Sequence, residues 1–216
     1  MTPKLYIFNG SPPARTVLIT AKAVGLNVEA HVFTTNQELK SPEFLKINPA
    51  HTVPVLNDKG KIICDSHAIA AYLVTKYAKN DLLYPKDAQL RAQVDQKLYF
   101  DAGVLYPTFK NAIAGFIRKE YKQIPKEKVA TIDEVYGTLE RFLDGNKWLA
   151  GRIPTLADIS CATTTTALNH IHPIKPGVFP KVVDWLRRVR GLPYFFEDEK
   201  QFDHFKRFVQ QISNWD

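Results

Sequence analysis

Apolar side chains recur along this chain in two rhythms. Leu5 to Phe8 is a short continuous apolar run that ends before Gly10, the mark of a buried strand. The rhythm then changes. Val17, Leu18, Ala21 and Val24 recur at helical spacing, with Ser11 as cap, proline at the start near Pro13 and Gly25 as the stop. Val28 to Phe33 reads as a second strand. Strand, helix, strand is a βαβ unit, whose two strands should run parallel through a right-handed crossover.

The same reading continues to residue 79. Ser41 to Ile47 is a short helix with Ser41 as cap and Pro42 at its first position. Val53 to Leu56 and Lys61 to Cys64 are two short strands, and Asn57-Asp58-Lys59-Gly60 between them signals a hairpin. Ser66 to Tyr77 puts Ile69, Ala70, Leu73 and Tyr77 on one helical face. The order βαβ-α-ββα combines one parallel unit with one antiparallel hairpin, the thioredoxin-like layout.

After Lys79 the pattern breaks. Residues 80–87 are polar, contain Pro85 and read as a linker. From 88 to 216 every periodic segment is helical. One long segment runs from Asp87 to about Arg118. A second opens at Pro125 and reaches about Leu143. Thr155-Leu156-Ala157-Asp158 resembles a capping box and starts a helix that ends near His172-Pro173. Pro180 to Arg190 is another, closed by Gly191 and Pro193, and Tyr194 to Trp215 carries the last. The fold class is therefore α+β: a thioredoxin-like domain over 1–79 and an all-helical bundle over 88–216.

Composition narrows the function classes. The 216 residues are 45% hydrophobic and 24% charged, an ordinary globular balance. No apolar run approaches the ~20 residues that span a bilayer, so no membrane is expected. Residues 1–10 lack the apolar core and small-residue cleavage site of a signal peptide. Cys64 and Cys161 are the only cysteines, too few for a disulfide scaffold or a cysteine metal cage, and a reducing cytoplasmic setting is the simplest reading. The net charge of +7 comes from scattered Lys and Arg without interleaved aromatics. That argues against nucleic acid and for a cleft with a positive field for a small anion. His170 and His172 lie two apart, on different sides of a helix, with no third ligand evident, so no metal is expected.

The chemistry gathers in His51-Thr52-Val53-Pro54-Val55-Leu56 and Asp65-Ser66-His67-Ala68-Ile69. Pro54 has no N–H and cannot sit in an ordinary central strand. A cis bond before it would turn the chain and expose the backbone of Val53. Asp65 and Ser66 bring an acceptor and a hydroxyl to a helix start. Together these suit a peptide-like ligand with an α-amino and a carboxylate group. By themselves Ser11 and Asp65-Ser66 also read as plain helix caps, Val53-Pro54 as an edge strand, and His51 as a solvated loop residue or a satisfied core residue.

These segments, with Ser11-Pro12-Pro13-Ala14-Arg15, Asn48-Pro49-Ala50, Leu83-Tyr84-Pro85-Lys86-Asp87 and Trp148-Leu149-Ala150-Gly151, resemble cytosolic glutathione S-transferases. The resemblance covers essentially the whole chain and is strongest to the insect delta and epsilon classes, the His after Asp-Ser tilting toward epsilon. It implies an enzyme that conjugates glutathione, its co-substrate, to apolar electrophiles. The Ser11 hydroxyl would donate to the thiol sulfur. Val53, before a cis-Pro54, would pair with the cysteinyl amide. Asp65 would take the α-ammonium, and Ser66 the γ-glutamyl carboxylate. His51 would reach the glycyl end, with Thr52 and His67 alongside, while the counterpart among Glu38 to Ser41 stays open. Lowering a free thiol's pKa of ~8.5 by about two units takes roughly 2.7 kcal/mol. A charge-assisted hydrogen bond contributes roughly 1.5–3 kcal/mol and a helix N-terminus about 0.3–1 kcal/mol.

The apolar acceptor is expected beside Pro13, against Tyr106, Phe109, Ile113 and Phe116 on the long helix and Phe205 and Phe208 near the C-terminus. Such a stripe also suits plain core packing. Lys110, Asn111 and Ala114 replace the Arg or acidic residue of specialised epsilon relatives. The resemblance further implies a homodimer, with Tyr99 as an aromatic knob and Asp101 near the interface and the γ-glutamyl end. Asp158 reads as a structural capping residue. The rival reading is a non-catalytic carrier of hydrophobic ligands on the same fold. A third, an assembly domain of a translation factor, is disfavoured because nothing is appended beyond Asp216.

Overall fold

Alternation along β1 (Lys4–Ile7) decides how the sheet is covered. Leu5 and Ile7 turn to one face, where they meet Ala14, Val17 and Ala21 of α1 (Pro12–Ala23) and Ile69 and Leu73 of α3 (Ser66–Tyr77). Tyr6 turns to the other face and packs with Val55 and with Phe44 of α2 (Pro42–Ile47). The computed structural model describes residues 2–196 and 198–214. Its sheet has the order β2-β1-β3-β4. β2 (Glu29–Val32) pairs parallel with β1. β3 (Val55–Asp58) runs antiparallel to β1, and β4 (Lys61–Cys64) antiparallel to β3. This is the expected thioredoxin-like sheet.

Local signals set most boundaries. Ser11 caps α1, and Gly25, at φ +72°, ends it with Gly25 N–H donating to Lys22 O and Leu26 N–H to Ala21 O. Beyond one-residue shifts at the ends of β1 and β2, two boundaries differ from expectation. β3 begins at Val55 rather than Val53, because Pro54 has no N–H to give the ladder. The hairpin turn is two residues long, not four, since Asp58 pairs with Lys61 and leaves only Lys59-Gly60 to reverse the chain.

The helical half comprises α4 (Ala88–Phe100), α5 (Tyr106–Ile117), α6 (Lys126–Phe142), α7 (Leu156–Ile171), α8 (Pro180–Arg190) and α9 (Asp198–Ser213). The long segment expected from Asp87 to Arg118 is broken by a π-helical turn over Asp101–Leu105, where Tyr106 N–H reaches back to Asp101 O. Pro107 follows without an N–H, so the ordinary ladder cannot resume until past it. The last helix starts at Asp198 rather than Tyr194, which lies in a separate 3-10 turn, Pro193–Phe195. Trp215, placed at that helix's end by its sequence pattern, lies outside the described residues.

Helix α7 is buried from Leu156 to Leu168 and is the core's spine. Two of its threonine hydroxyls bond back to the helix, Thr163 to Ser160 O and Thr166 to Ala162 O, which satisfies those buried donors, while the Thr165 hydroxyl has no partner among the described residues. The two halves of the chain meet on this helix: Thr16 and Thr163 hydroxyls are 2.8 Å apart. The expected capping box is present, with Asp158 accepting from Thr155 N–H at 2.9 Å.

Candidate active site

Ser11 stands at the start of α1, where its Oγ accepts Ala14 N–H at 3.3 Å. A hydroxyl that accepts in this way keeps its own proton free to donate. The next wall is the loop before β3. Asn48, almost fully buried, donates through Nδ2 to Thr52 O at 2.8 Å and accepts Ala50 N–H at 3.1 Å. It shapes the loop from within. The chain's Asn-Pro-Ala run was the signal for such a turn, although it named no role for Asn48. The Val53-Pro54 bond is cis. Among the described residues the Val53 N–H and C=O have no hydrogen-bond partner.

The third wall is the start of α3. Asp65, at φ +72°, caps it by accepting from His67 N–H at 2.8 Å and Ala68 N–H at 3.1 Å. Those bonds leave the N–H and hydroxyl of the buried Ser66 without partners among the described residues. Behind them His67 lies between two acids, with Nε2 3.0 Å from Asp101 and Nδ1 3.3 Å from Asp65. Asp101 is buried and also accepts from the Ser160 hydroxyl, while its second oxygen has no partner among the described residues.

Burial alone would push the His67 imidazolium to lose its proton, but its bonds to Asp101 and Asp65 outweigh that and raise it to about 9. The ring is therefore charged at neutral pH, and a hydrogen bond from it holds Asp65 below the usual carboxylate range. The folded value lies above the unfolded 6.5, so His67 stabilises the fold fully below that pH and loses the contribution as pH rises through about 9. An NMR titration of the ring should give a midpoint near 9. Urea unfolding should show stability falling between those pH values, and His67→Gln should flatten that fall. A midpoint near 6.5 would contradict the assignment.

A cavity of about 230 Å³ joins these walls and is lined by Pro13, Thr52, Val53, Pro54, Asp65, Ser66, His67, Asp101, Tyr106 and Lys110. Ser11 and His51 flank it without lining it, and His51 is exposed at φ +44°. Burial pushes the Tyr106 hydroxyl up to about 12, so it remains a neutral donor. Larger grooves of about 620 and 750 Å³ lie along α9 and hold none of the residues of these three walls.

The remaining apolar positions fall elsewhere. Phe109, Ile113, Phe116 and Phe205 are in the packed interior, with the Phe109 and Phe205 rings 5.8 Å apart, and Phe208 is 40% exposed. Helical spacing identifies an apolar face but not whether another helix or a ligand covers it. Asp101 is drawn inward beneath α3 rather than onto an outer face, and Tyr99 is 76% exposed. Among Glu38 to Ser41, Glu38 is held by Thr34 and Thr35, Leu39 is buried and Ser41 caps α2, which leaves the side chain of Lys40 uncommitted. His172 pairs with Asp133 while His170 stands edge-on to Phe202 and Phe205.

A thioredoxin-like sheet joined to a helical bundle, with a cavity at the starts of α1 and α3, defines the glutathione transferase fold. The glutathione S-transferase N-terminal family model matches residues 5–81 and the C-terminal model residues 104–193, so the chain belongs to the glutathione S-transferase family. It is 37% identical over 198 residues to glutathione S-transferase 1 of Manduca sexta, covering 90% of this chain and 91% of that one. Among solved structures it is similar to an epsilon-class glutathione S-transferase of the housefly, Musca domestica, at 42% identity and TM-score 0.91 over 98% of both chains. It is likewise similar to a glutathione transferase homologue of Drosophila mojavensis with bound glutathione, at 37% identity and TM-score 0.91 over 97% of both. It is a transferase of the insect delta and epsilon kind.

Proposed function

We propose that this enzyme binds glutathione in the cavity between α1, the Pro54 loop and α3, and transfers it to apolar electrophiles as a thiolate held by Ser11. The observation that carries the reading is the convergence of unpartnered groups on one cavity: the Val53 backbone, the Ser66 N–H and hydroxyl, and one Asp101 oxygen. Glutathione offers a complement to each. Its cysteinyl amide suits Val53, its γ-glutamyl carboxylate the N-terminus of α3, and its α-ammonium Asp65 and Asp101. The charged His67 keeps those two acids from repelling each other. His51, with Lys40 as a second cation, is left for the glycyl carboxylate. The thiol then falls beside Pro13 at the N-terminus of α1, where the Ser11 proton is free. The Drosophila mojavensis homologue with bound glutathione supports this reading.

Titration calorimetry with glutathione, run beside a conjugation assay with an aryl halide, tests it. Saturable binding with turnover is expected. Tight binding of an apolar dye with no turnover would make the protein a carrier instead. We also read the exposed Ile62, Leu90, Tyr99 and Val104 as the face of a homodimer, so the protein should sediment as a dimer and Tyr99→Ala should weaken it. We also divide the chain at 79 and 88, between the end of α3 and the start of α4. Two free cysteines suit a cytoplasmic enzyme, and among the described residues no helix is long and apolar enough to cross a membrane.

A further inference from the structure

One face of helix α9 meets the segment that carries Ser11 as well as α5 and α7. Asp198, Gln201, Phe202 and Phe205 follow the i, i+3, i+4, i+7 spacing of a single helical stripe. Asp198 holds the buried Arg15 by two bonds, from Nε at 2.8 Å and from Nη2 at 2.5 Å, and Phe202 lies under the guanidinium at 4.7 Å. Arg15 also donates to Thr163 O and to the Thr166 hydroxyl, which locks it to α7. One turn further along the stripe, Gln201 Oε1 accepts Gly10 N–H at 3.0 Å. Ser11 stands between these two anchors.

The contact at Gly10 is backbone against backbone. Gly10 is buried at φ +78°, and a Cβ there would come within 2.5 Å of Phe205 N and 3.0 Å of Gln201 O. Only a glycine lets α9 approach so closely. On its Ser11 side the turn is tied by a long 3.4 Å bond from Ser11 N–H to Phe8 O and by the start of α1, where Arg15 N–H donates to Ser11 O at 3.0 Å and Ala14 N–H to Ser11 Oγ at 3.3 Å. On its Gly10 side the N–H has one partner among the described residues, Gln201, which is 191 positions away in sequence.

We infer that Gln201 is a positioning residue for Ser11: its amide oxygen orients the Gly10-Ser11 turn, and through it the Ser11 hydroxyl that meets the glutathione sulfur. This inference rests on the Ser11 role proposed above. It divides labour on α9. Arg15 and Asp198 fasten the helix, and Gln201 aims the turn. Thiol activation in the N-terminal half then depends on a side chain of the last helix.

The test uses Gln201→Met, which keeps length and removes the acceptor, with Asp198→Asn and Ser11→Ala beside it. The pKa of the bound thiol is read from thiolate absorbance against pH, and glutathione affinity by calorimetry. Gln201→Met should raise the thiol pKa and lower kcat about 2- to 10-fold, the size of one hydrogen bond, with glutathione affinity within about twofold of the parent. Asp198→Asn should lower the melting temperature but leave the thiol pKa in place. An unchanged thiol pKa in Gln201→Met, with a raised one in Ser11→Ala, would overturn the role of Gln201 alone. An equal shift in Asp198→Asn would also overturn it, because α9 would then act merely by being docked. No shift in Ser11→Ala would remove the Ser11 reading itself, and this inference with it.

Discussion

Ser11→Ala should raise the pKa of enzyme-bound glutathione by about one to two units, the worth of one charge-assisted hydrogen bond of roughly 1.5–3 kcal/mol. The α1 N-terminus and the rest of the cavity stay in place, so glutathione should still bind. Near pH 6.5 the thiolate population would then fall by about five- to fiftyfold, if the parent thiol titrates about two units below the free value of ~8.5. Turnover should fall less. A more basic thiolate is a better nucleophile, with a Brønsted slope of about 0.4–0.5, which returns roughly three- to tenfold of the loss. The deficit should shrink as pH rises and close between about pH 7 and 8, above which the more basic thiolate of the variant is the faster nucleophile. A pH series of kcat with an aryl halide reads this crossing directly. A deficit constant across pH would mean that Ser11 acts on something other than the thiol's ionisation. The same substitution takes the acceptor from Ala14 N–H, so a separate loss of about 0.5–2 kcal/mol in stability is expected from the cap alone.

Asp158→Ala should unfold the protein far more readily than any change at the cavity. Asp158 is completely buried, and its two oxygens serve four donors. One oxygen accepts Leu149 N–H and Trp185 Nε1–H at 2.9 Å each; the other accepts Thr155 N–H at 2.9 Å and the Thr155 hydroxyl at 3.2 Å. It ties the start of α7 to the preceding loop and to the buried Trp185 of α8. Removing it strands these donors in a dry core, a loss of about 3–5 kcal/mol by analogy with a broken buried pair. For a chain of this length that is a fall in melting temperature of about 6–20 °C. Asp158→Asn should recover little, since its amide nitrogen would face donors on one side. Urea or thermal unfolding decides the matter, and a loss below about 1 kcal/mol would show that the loop holds without the carboxylate.

What was legible along the chain follows from how local each determinant is. Ser11, Ser41, Asp65 and Thr155 with Asp158 mark helix starts because a cap binds N–H groups two or three residues ahead. Gly25 ends α1 for an equally local reason. The cavity's contributors were readable too, since Pro13, Thr52 to Pro54 and Asp65 to His67 lie in three short runs that the topology brings together. Less legible was the break at Asp101, where a helical period continues on both sides of a π turn.

The apolar stripe on α5 shows the limit more sharply. Periodicity placed Tyr106, Phe109, Ile113 and Phe116 along one helix, and the neighbours that cover them decide their fates: Phe116 stands edge-on to Tyr121. Phe205 covers Phe109, and Tyr106 is left to face the cavity. The setting of the acids and of Ser11 is likewise long-range. His67 meets Asp101 across 34 positions, Ser160 meets Asp101 across 59, and Gln201 meets Gly10 across 191.

The order of elements, their caps and stops, and the short runs that carry polar chemistry could all be read along the chain, because backbone sterics and capping bonds act over a few residues. The tertiary structure alone decided which aromatics are core, that His67 is held charged between two acids, and that the last helix grips the Ser11 turn. Those outcomes depend on which side chains share a low-dielectric interior, and no local interaction carries that information.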